Sequence, residues 1–151
     1  MIEVMATVVI TAGSVLLFGY WFRYTCLLIL SARTTRDYAA SVAMANQLNF
    51  PAVQAMLRDT NVADLDRLKD SLDRDYKVLT YLLKHAANPS KGDDAIEKHM
   101  LEIDYRMMRA WYSVSRRFSP AAAMRALDEM SVVVAHFANS MGERAAAGAA
   151  A

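Results

Sequence analysis

The chain has one cysteine, Cys26, with three prolines and five glycines in 151 residues. A lone cysteine cannot close an intrachain disulfide or complete a cysteine-based zinc site. An excess of one charge sign is also missing: 17 basic residues face 16 acidic ones, for a net charge of +1. That balance excludes a whole-protein field of the kind that gathers nucleic acid or acidic substrates, so no nucleic-acid partner is expected. Strand-like alternation and fixed-period repeats are absent, which leaves an all-helical chain as the expectation.

Chemical motifs are equally scarce. No GxxxxGK[ST], GxGxxG or GxSxG occurs, so neither a phosphate cradle nor an esterase elbow is supported. His85, His99 and His136 are the only histidines. No HExxH or ExxH pair contains any of them, so the zincin and ferritin-like di-iron patterns both fail. His85 and His99, with Glu102, fall near the ends of neighbouring helices, but without a standard ligand spacing, and no metal or cofactor is expected. The stretch Asp59 to Asp64 lacks the glycine and closing glutamate of a calcium loop. No serine is linked by pattern to a histidine and an acid, so a non-enzymatic role is expected.

What is abundant is apolar surface, and it is local. Residues 4 to 22, VMATVVITAGSVLLFGYWF, carry no charge. As a helix, nineteen such residues span about 28 Å, close to the hydrocarbon thickness of a bilayer. Tyr20, Trp21, Arg23 and Tyr24 mark its trailing end. Tyrosine and tryptophan favour the membrane–water boundary, and an arginine can lay its stem along the acyl tails while its guanidinium reaches phosphate. A span centred further along would place Arg23 inside the bilayer at about 2.5–3.5 kcal/mol, so the interfacial register is expected. The start MIEVM lacks a basic n-region and no A-x-A site follows, which favours an uncleaved anchor over a signal peptide. Arg23, Arg33 and Arg36 trail the span while only Glu3 leads it. The positive-inside rule then puts the carboxy-terminal domain in the cytoplasm, below the plasma (inner) membrane. Thr7, Thr11 and Ser14 share one face of the span and offer a weak packing seam. Cys26 reads as an inert apolar cysteine.

Beyond the span the pattern is amphipathic. The alanine-rich stretch from Thr34 to Gln47 is expected to continue the anchor helix. Asn49-Phe50-Pro51 ends it, and Pro51 opens a short helix. Asp59-Thr60-Asn61 offers caps for a long helix over 62–87, with Leu65, Leu68, Leu72, Tyr76, Leu79 and Leu83 inward. A turn is expected over 88–92. A second helix over 94–118 is expected to bury Ile96, Met100, Ile103, Met107, Trp111 and Val114. Ser119-Pro120 caps and opens a third, with Met124, Leu127, Met130, Val134, Phe137 and Met141 inward, which Gly142 is expected to stop. Short links imply antiparallel neighbours.

The expected organisation is therefore an anchor over 1–33, an antiparallel three- or four-helix bundle over 34–141, and a disordered alanine-rich tail over 142–151. One stretch mixes charge with aromatics: YRMMRAWYSVSRRF, residues 105–118. Its Arg106, Arg109, Arg116 and Arg117 are the candidate contacts to a protein partner or to anionic lipid headgroups. The function expected is that of a single-pass, membrane-anchored adaptor, scaffold or small accessory subunit. Its partners would be the bilayer and either another protein or a second copy. The alternative is an anchored sensor that holds a ligand or metal between helices.

Overall fold

The computed structural model describes residues 1–32, 37–59, 64–86 and 92–150. Six helices occur among them: α1 (Ile2–Ser31), α2 (Ala39–Ala45), α3 (Phe50–Arg58), α4 (Leu65–His85), α5 (Gly92–Ser115) and α6 (Pro120–Ala149). No strand is present among the described residues. The chain divides into two compact units, Met1–Arg33 and Thr34–Ala151.

The first unit is α1, 30 residues long, long and apolar enough to cross a membrane, with mean hydropathy 2.0 over its most apolar window. Its hydroxyls turn back on its own backbone. Thr7 donates to the Glu3 carbonyl at 2.8 Å, Ser14 to Ile10 at 2.8 Å and Thr25 to Trp21 at 2.9 Å. This i−4 bonding satisfies a hydroxyl without water. Cys26 is the buried residue of α1.

In the second unit α6 is the central helix, lying against α2, α3, α4 and α5. Its inward residues mix small with large: Ala123, Ala126, Ser131, Ala138 and Gly142 beside Leu127, Met130, Val134 and Phe137, all buried. Small side chains let neighbouring helices approach, and the large ones fill the space between. Ser119 caps the helix by accepting from the Ala122 N–H at 3.3 Å, with Pro120 at its start. On α4 the buried residues include Leu68, Leu72, Leu79 and Leu83, four of the six expected to face inward.

Three expectations are corrected here. The alanine-rich stretch does not continue the anchor helix: Ala32 is extended at φ −61°, ψ 124°, and α2 is a separate element. Helix propensity yields to packing on α6, where the Asn139 side-chain oxygen accepts from the Tyr38 N–H at 2.7 Å. Next, α6 does not stop at Gly142 but runs to Ala149, so residues 143–149 are helical where a disordered tail was expected. Gly142 serves close approach instead. A Cβ there would lie 2.2 Å from the Tyr38 Cβ. The alanines beyond it are the strongest helix formers. Finally, α4 is capped by Asp64, whose Oδ1 accepts from the Arg67 N–H at 3.1 Å. The expected cap residues Thr60 and Asn61, and the turn residues 88–91, lie outside the described residues.

The link between α2 and α3 turns through Gln47 in the left-handed region, φ 53°. The Leu48 N–H reaches back to the Ala43 carbonyl at 2.9 Å, a Schellman-type closure of α2. The start of α3 is held by a residue distant in sequence. Asp75, fully buried on α4, accepts from the Asn49 N–H at 2.6 Å and the Phe50 N–H at 2.7 Å through one oxygen. These are two of the donors a helix leaves unpaired at its amino end. Burial pushes the Asp75 carboxyl above its ordinary value, against the opposing pull of those two N–H groups.

Candidate functional site

The principal departure from the sequence reading is in α5. Its inward residues are Leu101, Asp104, Tyr105, Tyr112 and Ser115, all buried. The stripe expected to be core faces out. Ile96 is 63% exposed, Trp111 51% and Val114 51%, with Ile103 and Met107 also exposed and Met100 half-buried. The helix therefore has two faces at helical spacing, and the domain buries the one that carries tyrosine.

The reason lies in α4. Asp73 accepts from the Tyr105 hydroxyl at 3.0 Å and pairs with Arg109 Nε at 3.0 Å. Seven residues away on each helix the unit recurs: Asp66 accepts from the Tyr112 hydroxyl at 2.9 Å and pairs with Arg116. Two turns of helix separate the copies, and the order of pairing shows that α4 and α5 run in opposite directions. Lys69 adds bonds to Asp70 and Asp73, each at 3.1 Å. The Tyr76 ring stacks on Tyr105 at 3.9 Å between centroids. This ladder of long side chains spans the gap between the two backbones, both of which pack on α6.

The electrostatics follow from burial and from these partners. Burial, then the Asp73 carboxylate, raises the Tyr105 hydroxyl far above its ordinary value. Tyr112 is pushed up to about 12 by burial and by its bond to Asp66. Burial opposes the charge on Lys69, but its bonds to Asp70 and Asp73 outweigh that and raise its pKa. Each tyrosine is thus a fixed donor and each carboxylate a fixed acceptor. The arrangement holds α5 in rotation about its axis, and its chemistry is that of a clamp.

The arginines named from sequence divide accordingly. Arg109 and Arg116 are tied to α4, though about half of each side chain stays exposed. Arg106 is exposed and bonds the Tyr76 hydroxyl. Arg117 lines a groove of about 570 Å³ with Asp66, Lys69, Asp70, Tyr112, Ser113 and Arg116. The histidines are engaged locally or across helices. His85 Nδ1 lies 2.8 Å from the Tyr81 carbonyl, His99 sits 3.9 Å from Glu102, and His136 meets Glu97 at 2.8 Å. Among the described residues no three metal-ligating side chains converge.

On α1, Tyr20, Trp21 and Tyr24 form an exposed aromatic group, Trp21 edge-on to both tyrosines at 6.4 and 6.1 Å. Arg23 is half-buried beside them. The surface missed in the sequence is the outward stripe of α5. The signal for it was present: Leu101, Tyr105, Tyr112 and Ser115 form a second periodic face, and Asp66 and Asp73 on α4 match its tyrosines in spacing.

No family model, no curated protein and no solved structure matches this chain.

Proposed function

We propose that this protein is a single-pass membrane adaptor or small accessory subunit, anchored by α1, with its helical-bundle domain held in the cytoplasm at the membrane surface. The observation that carries this reading is α1 itself: 30 residues, strongly apolar, with none of its most apolar window buried. Val8, Ile10, Leu16 and Phe18 each stand more than half exposed. In water each such side chain forgoes about 1.5–3 kcal/mol that burial would return, and lipid removes that penalty. The self-satisfied hydroxyls of Thr7, Ser14 and Thr25 suit a solvent without hydrogen-bonding partners. The grouped Tyr20, Trp21 and Tyr24 suit a headgroup boundary.

Confinement to a surface supplies the mechanism. Anchoring raises the effective concentration of whatever the domain contacts, so a weak contact becomes sufficient. The domain offers a clamped α5 as the contact element, with Arg106 on it and Arg117 just past its end for an anionic group.

Alkaline carbonate extraction of membranes, followed by intact-mass measurement, tests the anchor. The expected result is a pelleting protein with its first residues retained. Release into the soluble fraction, or a mass lacking residues 1–31, would overturn the reading. Reporter fusions at the carboxy terminus test orientation, with a cytoplasm-active reporter expected to be on.

A further inference from the structure

We infer that the outward face of α5 is a dimer seam, occupied by the α5 of a second copy of this chain. This deepens the adaptor reading by naming what covers that face, and it rests on the exposed stripe rather than on lipid around α1.

Spacing is the first support. Ile96, Met100, Ile103, Met107, Ala110 and Val114 follow one another at intervals of 4, 3, 4, 3 and 4 residues. That is the a/d repeat of a helix that packs along another helix. The opposite positions of the same repeat are Tyr105 and Tyr112, the residues clamped to α4. Holding the tyrosines inward therefore fixes the seam outward. Arg117 falls at the next d position and Phe118 follows the helix end, so the seam closes where α5 does.

Area is the second support. The exposed fractions of Ile96, Ile103, Met107, Trp111, Val114 and Phe118, taken against ~200 Å² per large side chain, give roughly 600–700 Å² per copy. A specific interface needs about 800 Å² per partner, rim included.

Charge is the third, and it selects the orientation. Arg106 occupies the g position and Trp111 the following e position of the repeat. In a parallel pair these meet across the seam, which sets a guanidinium over an indole face. An antiparallel pair would bring Arg106 near its own copy, which like charge opposes.

The full-length chain in native membranes provides the test. Ala110→Cys in a Cys26→Ser background, under mild oxidation, is expected to give a disulfide-linked dimer at least fivefold above Lys84→Cys, an exposed site on α4. Adding Met107→Glu is expected to abolish the link while leaving the thermal melt, measured in detergent below the dimer concentration, unchanged. The same comparison with Cys26 retained guards against a folding defect from its replacement. Equal crosslinking at Ala110→Cys and Lys84→Cys would overturn the proposal. So would quenching of Trp111 by brominated lipid in a Trp21→Phe chain that sediments as a monomer, which would make the bilayer the occupant. Carbonate extraction and crosslinking can each fail alone, so the anchor and the dimer are judged separately.

Discussion

Two helices of this protein have the same length and opposite fates. α1 and α6 are each 30 residues. α1 is the more apolar and buries only Cys26, whereas α6 buries eleven residues, among them Ser131 and Asn139. The difference shows that apolarity alone does not select the core of a small domain. Centrality does: a helix with neighbours on most sides needs small residues for approach and a few large ones for filling. α1 is apolar all round, with no preferred side. α6 is graded, and its polar residues serve contacts, as when Asn139 accepts from the Tyr38 N–H at 2.7 Å.

The largest expected effect comes from truncating one phenylalanine in each helix. Phe137→Ala removes a ring that is 1% exposed and packs near Tyr76, and should cost the domain about 3–5 kcal/mol. Phe18→Ala should leave the unfolding of the helical domain unmoved. Chemical denaturation in detergent, followed by circular dichroism, reads both. Equal losses would mean that α1 is part of the same cooperative core.

The comparison carries over to the two faces of α5. Leu101 is fully buried, so Leu101→Ala should cost about 2–5 kcal/mol. Ile103→Ala on the outward face should cost under about 0.5 kcal/mol when measured below the dimer concentration. A large loss at Ile103 under those conditions would place it in the core after all.

Glycine gives a smaller contrast. Gly142→Ala forces a Cβ to within 2.2 Å of Tyr38, and should destabilise by roughly 1–3 kcal/mol through overpacking. Nothing lies within 4 Å of a Cβ at Gly13 or Gly19, so alanine there should leave the domain unchanged. Hydrogen exchange in α2 should rise for Gly142→Ala, because that is the helix displaced.

The smallest effect is one of pH. Burial raises the Asp75 carboxyl above its unfolded value, so the folded state binds this proton more tightly than the unfolded one. Its contribution is present below the unfolded value and is lost as pH rises through the folded value. Asp75→Asn keeps an acceptor for the Asn49 and Phe50 N–H groups and should flatten the fall in stability above about pH 4. An unchanged pH slope in the variant would show that Asp75 does not titrate in that window.

Much of the helical pattern was legible in the sequence. The Leu68, Leu72, Leu79 and Leu83 stripe of α4 stood out because its opposite face is charged, leaving one way to bury it. Ser119-Pro120 marked the start of α6 because a cap and a fixed φ act locally. The burial of α5 was not legible in the same way. Ile96, Met107 and Trp111 are as apolar as Leu101 and Tyr105, and both sets recur at helical spacing. The end of α6 was misread because a glycine that ends a helix and one that admits a neighbour look alike until the neighbour is known.

By itself the sequence determined an all-helical chain with one uncharged amino-terminal segment of membrane-spanning length, because periodicity, caps and uninterrupted apolar runs act within one element. The tertiary structure decided which face of α5 is inward and which helix is central. Those choices depend on pairings between elements, Asp66 with Tyr112 and Asp73 with Tyr105 across α4 and α5, and Gly142 against Tyr38. A buried hydroxyl is costly without a hydrogen-bond partner, and the inward face of α5 is the one whose Tyr105 and Tyr112 hydroxyls meet Asp73 and Asp66.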